Sequence, residues 1–365
     1  MRRLLVKTHR YLGIALGIFY VFLGLTGSIL TFYPEIDSFL NPQLNIRSSD
    51  KIQNIDLVLG NSQAVYPEKF LHSIFLTSDE RRFYQVWFTP SSKDTSLMWE
   101  VMVHPDSAKV LGHRQAVPVY EFNKENLVNT IYTLHLLMFV GQSSYIFLGA
   151  CGIFFLITLV IGVCLWWPTT KNVLISFSIK RGASSYRRAF DLHRVFGIYG
   201  LVFLFVISIS GIYLSLPTQV EHILGVNDEF QKPTGLVNTY KPGNLNLDGV
   251  LRHTSSLVSD KLKLKSVWMP SELSNFWRVT YIDSENIGST GSEVILMIDA
   301  KTGLVVSMDR YEKKNNIKQI LSWQLPLHSG KAFGVWGRIA VFVTGLLPLI
   351  LFITGLIIWN RKRAY

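Results

Sequence analysis

The 365-residue chain is 48% apolar, carries a formal net charge of +11 and has a mean hydropathy of +0.26. Its length alone suits two soluble domains, but four long runs nearly free of charge exclude an ordinary soluble protein. The positive charge gathers at the ends of those runs, so it reads as a membrane-orientation signal and gives no reason to expect a nucleic-acid partner.

The first run, Tyr11–Tyr33, follows Arg2, Arg3, Lys7 and Arg10. It is longer than a signal-peptide core and ends in Tyr33-Pro34-Glu35 without a small-residue cleavage site, so segment 1–33 reads as a retained anchor. Residues 34–126 are mixed in charge and contain no Cys; they read as a first extramembrane domain. Segment 127–167 begins with a short helix, Leu127–Phe139, that lies along the membrane and turns at Gly141-Gln142-Ser143-Ser144 into the second run, Tyr145–Trp167. A loop over 168–192 carries Lys171, Lys180, Arg181, Arg187 and Arg188. The third run, Val195–Leu216, lies in segment 193–216, and residues 217–322 read as a second extramembrane domain. Segment 323–365 holds Trp323–Leu327, Gly330 and Gly334, then the fourth run, Ile339–Trp359, and finally Arg361, Lys362 and Arg363.

Each run has about the twenty residues that a helix needs to cross the hydrocarbon, and in lipid only a helix satisfies its own backbone. All the basic clusters fall on one side, which predicts both termini and the short loop in the cytoplasm, with the two large domains outside. Trp166-Trp167 and Trp359 close spans two and four at that same interface. Cys151 and Cys164 share one span, about 20 Å apart at helical rise, and cannot pair with each other.

The two halves repeat one another. His9-Arg10-Tyr11-Leu12-Gly13-Ile14 matches His193-Arg194-Val195-Phe196-Gly197-Ile198, and Thr26-Gly27 matches Ser210-Gly211 at the same offset. Leu134-His135 and Leu327-His328 are followed at equal intervals by Gly141 and Gly334, Gly162 and Gly355, and Trp166 and Trp359. In the outer segments, the stretch around His104–Lys109 parallels that around Asp299–Leu304; both read as strand, tight turn, strand. Gly303 suits a positive-φ turn position better than Ala108, so the first turn is expected to differ in shape. An even number of crossings per half makes the halves parallel repeats about an axis along the membrane normal.

That symmetry sorts four of the nine histidines into two pairs, His9 with His193 near the cytoplasmic face and His135 with His328 near the outer face. Paired imidazoles between helices suit a bis-histidine haem, with Gly13, Gly17, Gly197 and Gly200 letting a porphyrin approach the backbone and Arg10 and Arg194 neutralising propionates. The residues alone leave open other metal binding, or plain structural hydrogen bonding. His72, His104, His113, His222 and His253 have no counterpart and read mainly as surface residues, His222 being the spare candidate for a ligand or substrate contact. No nucleotide loop, zinc spacing, HExxH or nucleophile motif is present.

The opening His-Arg-x-x-Gly-Ile with Leu25-Thr26-Gly27-Ser28 and Tyr33-Pro34-Glu35-Ile36-Asp37 resembles the PepSY-associated transmembrane family of iron-regulated membrane proteins. So do Leu327-His328-Ser329-Gly330, Thr354-Gly355-Leu356-Ile357-Ile358-Trp359 and the turn at Asp299–Gly303. The resemblance covers nearly the whole chain. It implies a four-helix transmembrane bundle of two parallel repeats, two extramembrane α+β PepSY-like domains and a bacterial inner-membrane location. It also implies two b-type haems, with His9, His193, His135 and His328 as iron ligands, and reduction of a periplasmic Fe(III)-siderophore by a cytoplasmic reductase or quinol. Arg338 is a candidate partner for a propionate or an anionic chelate, and Trp323 and Trp336 are candidate contacts. A family member that only binds or restrains a peptidase or envelope ligand, or a siderophore or metal transport subunit, is the alternative.

Overall fold

The structure, a computed structural model, describes residues 1–46, 55–76, 83–137, 143–167, 176–226, 246–283, 293–310 and 316–363. The expected turn residues Gly141 and Gln142 and the loop cation Lys171 lie outside the described residues. In chain order come α1 (Arg2–Ala15), α2 (Gly17–Leu30), α3 (Tyr33–Leu40) and α4 (Ile55–Val65), then strands β1 (Phe70–Phe75), β2 (Tyr84–Thr89), β3 (Met98–Val103) and β4 (Val110–Val117). Next are α5 (Leu127–Leu137), α6 (Ser144–Trp166), α7 (Ser185–Tyr199), α8 (Leu201–Ser215), α9 (Pro217–Ile223) and α10 (Leu247–Ser255). The chain ends with β5 (Leu262–Trp268), β6 (Phe276–Asp283), β7 (Glu293–Asp299) and β8 (Val305–Arg310), then α11 (Asn316–Ser322), α12 (Gln324–Ser329) and α13 (Gly334–Arg363). These elements form two compact units, a helical one from residues 1–32, 134–225 and 321–365 and a sheet one from 33–133 and 226–320.

In the helical unit α6 and α13 are each long and apolar enough to cross a membrane. The pairs α1 with α2 and α7 with α8 pass the same test together but bend by 57° and 62°, so the spans number two, or up to four if each bent pair is one. The sequence predicts the first and third runs as uninterrupted helices; instead both break, at Leu16 and at Gly200, the same distance beyond His9 and His193. Glycine explains the breaks. A side chain at Gly17 would collide with the Phe352 ring, and one at Gly200 with Leu347, so the missing Cβ lets α13 press into both bends. Gly24 and Gly345 bring α2 and α13 backbone to backbone, and Ser28 donates a hydrogen bond to the Phe342 carbonyl across the same contact (2.8 Å).

The sheet unit corrects the expectation of two separate α+β domains. Its eight strands make one antiparallel sheet in the order β4-β3-β2-β1-β5-β6-β7-β8. Each segment supplies a core helix, α4 or α10, and a four-stranded meander, and the edge strands β1 and β5 pair through Ser73–Trp268, Ile74–Val267 and Phe75–Ser266. An unpaired edge exposes a row of backbone donors and acceptors, and joining the two meanders removes both inner edges at once. The cores merge accordingly. Val58 of α4 and Val250 of α10 pack with Ile74, Val86, Val267 and Leu296 in a single buried cluster.

Beyond the core, Arg114 of β4 bridges two buried acids. Its Nη1 and Nη2 donate to both Asp37 oxygens (2.9 and 2.8 Å), and its Nε donates to Glu100 Oε1 (2.6 Å). Burial works against the Arg114 charge, but Glu100 and Asp37 more than offset it, and its pKa lies above the ordinary guanidinium value. Glu100 is held further by Gln85 (2.7 Å). The two matched turns are alike, contrary to expectation. Ala108 at φ 54° and Gly303 at φ 71° make the same closing bonds, to His104 O and Asp299 O (2.9 Å each). Asn61, donating to the Ala108 carbonyl at 2.8 Å, and complete burial of the Ala108 side chain hold the left-handed alanine in place.

Two stability outcomes follow. Arg114→Met leaves two buried carboxylates without their counter-charge and is expected to cost about 3–5 kcal/mol, measured by chemical unfolding of the full chain in detergent. Gly303→Ala puts a Cβ at positive φ without the support that Ala108 has and is expected to cost about 1 kcal/mol in the same assay.

Candidate functional site: two imidazole pairs

His9 stands on α1 and His193 on α7, both on the His-Arg stretch that precedes the bends. Their ring centroids are 6.0 Å apart, with planes at 86°. His135 stands on α5 and His328 on α12, and their centroids are 6.5 Å apart, with planes at 52°. The two short helices return these residues to the helical unit. Ser144 at the start of α6 donates to the Leu137 carbonyl that ends α5. Gly330 (φ 77°) closes α12 where a Cβ would strike the Gly337 backbone, so only glycine fits the turn into α13.

All four rings are held by the same atom. His135 Nδ1 lies 2.9 Å from Thr26 Oγ1, whose single proton goes to the Phe22 carbonyl (2.8 Å). Thr26 must therefore accept, and His135 Nδ1 carries the proton. The same reasoning applies to His328 Nδ1 and Ser210 Oγ (2.9 Å), which donates to Val206 O (2.7 Å). His193 Nδ1 donates to Leu351 O (3.0 Å) and faces Thr354 Oγ1 (3.0 Å), which donates to Ile350 O (2.7 Å). His9 Nδ1 donates to Thr158 O (3.1 Å). In each ring the proton on Nδ1 leaves Nε2 as the bare lone pair, the state a metal ligand needs.

A glycine backs every ring. A Cβ would lie 3.2 Å from His135 Cε1 at Gly27, 3.3 Å from His328 Cε1 at Gly211, 3.4 Å from His9 Cε1 at Gly162 and 3.6 Å from His193 Cε1 at Gly355. Reading the sequence singles out these glycines as repeated positions but does not join them to the histidines; the repeated Thr-Gly, Ser-Gly and Thr-Gly steps were the available signal. Two of the glycines expected to admit a porphyrin, Gly17 and Gly200, instead accept side chains of α13.

Pairs of this spacing would suit one metal held between two imidazoles. Bonds of about 2.0 Å and about 1.1 Å from nitrogen to ring centre put linear centroids roughly 6 Å apart. Among the described residues no group of three or more His, Cys, Asp or Glu gathers into a metal site. Two donors are half of what a structural zinc requires, so a metal held here would have to bring further ligands of its own, as a porphyrin does.

The expected cations divide. Arg194 bonds Asp191 (3.0 Å) and the Ser178 carbonyl (2.9 Å), and Arg338 donates to the Thr31 carbonyl (2.9 Å) with its guanidinium 4.7 Å from the Phe32 ring centre. Both are thus tied to protein, Arg338 at the carbonyl end of α2, whereas Arg10 is half-buried. Trp336 is exposed, Trp323 is half-buried at the start of α12, and His222 is exposed on α9. His253 differs from the surface position expected: it is buried on α10, where burial lowers its pKa.

An apolar helical unit with two facing imidazole pairs and an antiparallel sheet unit define a membrane protein of the PepSY type. The chain belongs to the PepSY-associated TM region family, whose sequence model matches residues 6–362. A comparison with curated proteins gave no match.

Gly27→Val is expected to push the His135 ring from its seat. Overpacking of this kind costs about 1–3 kcal/mol, to be read as a lower Tm of the full chain in detergent.

Proposed function

We propose that this chain is a di-haem oxidoreductase of the bacterial inner membrane that passes electrons outward to a periplasmic Fe(III)-siderophore, releasing Fe(II). The observation that carries the proposal is the shared geometry of the four histidines: two facing pairs, each ring with Nδ1 protonated and Nε2 bare. Structural hydrogen bonding alone gives no reason for all four to leave the same nitrogen bare.

An iron porphyrin bound between two imidazoles supplies one-electron transfer with no coordination site left open. The chain's own groups do the rest. His9 and His193 would hold one haem and His135 and His328 the other, and the Nδ1 acceptors fix each ring's tautomer and direction. Two sites are needed because a hydrocarbon layer of about 30 Å is too wide for one efficient hop.

In this reading the bent pairs count as spans, the halves are parallel repeats, and the basic clusters put both termini in the cytoplasm. The His9–His193 pair then meets the donor, a cytoplasmic reductase or quinol, and the His135–His328 pair lies toward the acceptor. Each Fe(III) taken from a chelate consumes one electron, and release follows because siderophores hold Fe(II) far less tightly.

Vesicles carrying the full-length protein, loaded with a reductant and given an impermeant ferric chelate outside, test this. The wild type is expected to reduce the chelate, and His9→Ala and His328→Ala are each expected to fall to the rate of protein-free vesicles. Undiminished reduction by either variant contradicts the proposal.

A further inference from the structure

The two pairs differ in what accepts their Nδ1 protons. His9 and His193 donate to main-chain carbonyls, Thr158 O and Leu351 O, which stand at matching positions four residues before Gly162 and Gly355. His135 donates to an alcohol oxygen, Thr26 Oγ1, and His328 to Ser210 Oγ, with the Ile207 carbonyl as a second, backbone partner. Thr354 adds a second oxygen beside His193, where the other half has Ile161.

An amide carbonyl oxygen is more negative than an alcohol oxygen and draws the Nδ1 proton more strongly. The ring then acquires more imidazolate character and donates more density through Nε2. A more donating ligand favours the ferric over the ferrous state, so it lowers the reduction potential of the iron it binds. Donation by the hydroxyls of Thr26 to Phe22 O and of Ser210 to Val206 O makes them better acceptors, but cooperativity of this kind adds only about 10–30% per bond.

We propose that these acceptors set the two sites at unequal potentials, the hydroxyl-bonded His135–His328 site above the carbonyl-bonded His9–His193 site. The inference rests on the di-haem reading given above. Thr26, Ser210 and Thr354 become positioning residues that also tune their rings. A single electron shared between the sites then rests at the His135–His328 end. The basic residues place that end outside, so the gradient points toward the acceptor.

Redox titration of the purified full-length protein, followed by absorbance, tests the ordering. Wild type is expected to show two midpoints. His9→Ala, which keeps only the His135–His328 site, is expected to titrate at the upper one. Thr26→Val and Ser210→Ala remove an acceptor and are expected to raise the upper midpoint alone. Thr26→Ser, which restores the hydroxyl, is expected to leave it unchanged. Thr354→Val is expected to raise the lower midpoint alone. An about tenfold change in the electron partition between the sites corresponds to 59 mV for a one-electron couple. Midpoints that stay fixed in Thr26→Val and Thr354→Val with two haems bound overturn the tuning and leave the sites standing. A His9→Ala protein that titrates at the lower midpoint does the same. A wild type without haem overturns the sites themselves.

Discussion

The arrangement depends on one hydrogen bond made four times, from a histidine Nδ1 to an oxygen of a neighbouring helix. His9 reaches α6, His193 reaches α13, His135 reaches α2 and His328 reaches α8. Each bond ties a helix to one that is remote in sequence, and each leaves Nε2 of its ring as the free lone pair. The hydroxyl acceptors are themselves committed, since Thr26, Ser210 and Thr354 give their protons to carbonyls of their own helices. A buried donor left without its acceptor costs about 1–3 kcal/mol, so the tautomer is fixed as firmly as the packing.

Backbone proximity makes those bonds possible. Glycine behind each ring lets an imidazole lie against a helix at van der Waals distance, and glycine at the bends lets α13 enter α1–α2 and α7–α8. The bends and the ring seats therefore serve one purpose. They let polar rings sit inside an apolar unit with each Nδ1 donor satisfied, a condition that lipid enforces more strictly than water does. The sheet unit solves a different problem by the same economy: two meanders too small to leave edges open share a single sheet and core.

Much of this was legible in the sequence. Matching the halves paired His9 with His193 and His135 with His328 by depth alone, and the rings do face each other. The apolar runs located the apolar helices, but a glycine within such a run reads the same whether it bends the helix or merely packs, so the breaks at Leu16 and Gly200 were invisible. The edges of β1 and β5 gave no sign of each other because strand patterning records which face is buried, not which edge is paired. Ala108 hid its left-handed turn for a related reason: the support comes from Asn61 and the core, which its local sequence does not contain. Arg338 matched a site cation by type, yet its place at the end of α2 gives it the Thr31 carbonyl.

The central claim is that both imidazole pairs bind a planar metal macrocycle through Nε2. The most direct measurement is the absorption spectrum of the purified protein in detergent, oxidised and reduced, with haem and protein quantified on the same sample. The account predicts a Soret band that sharpens on reduction and two low-spin haems per chain, with one lost on replacing either member of a pair. Fully folded protein, made with ample haem supply and showing no Soret band, would contradict it.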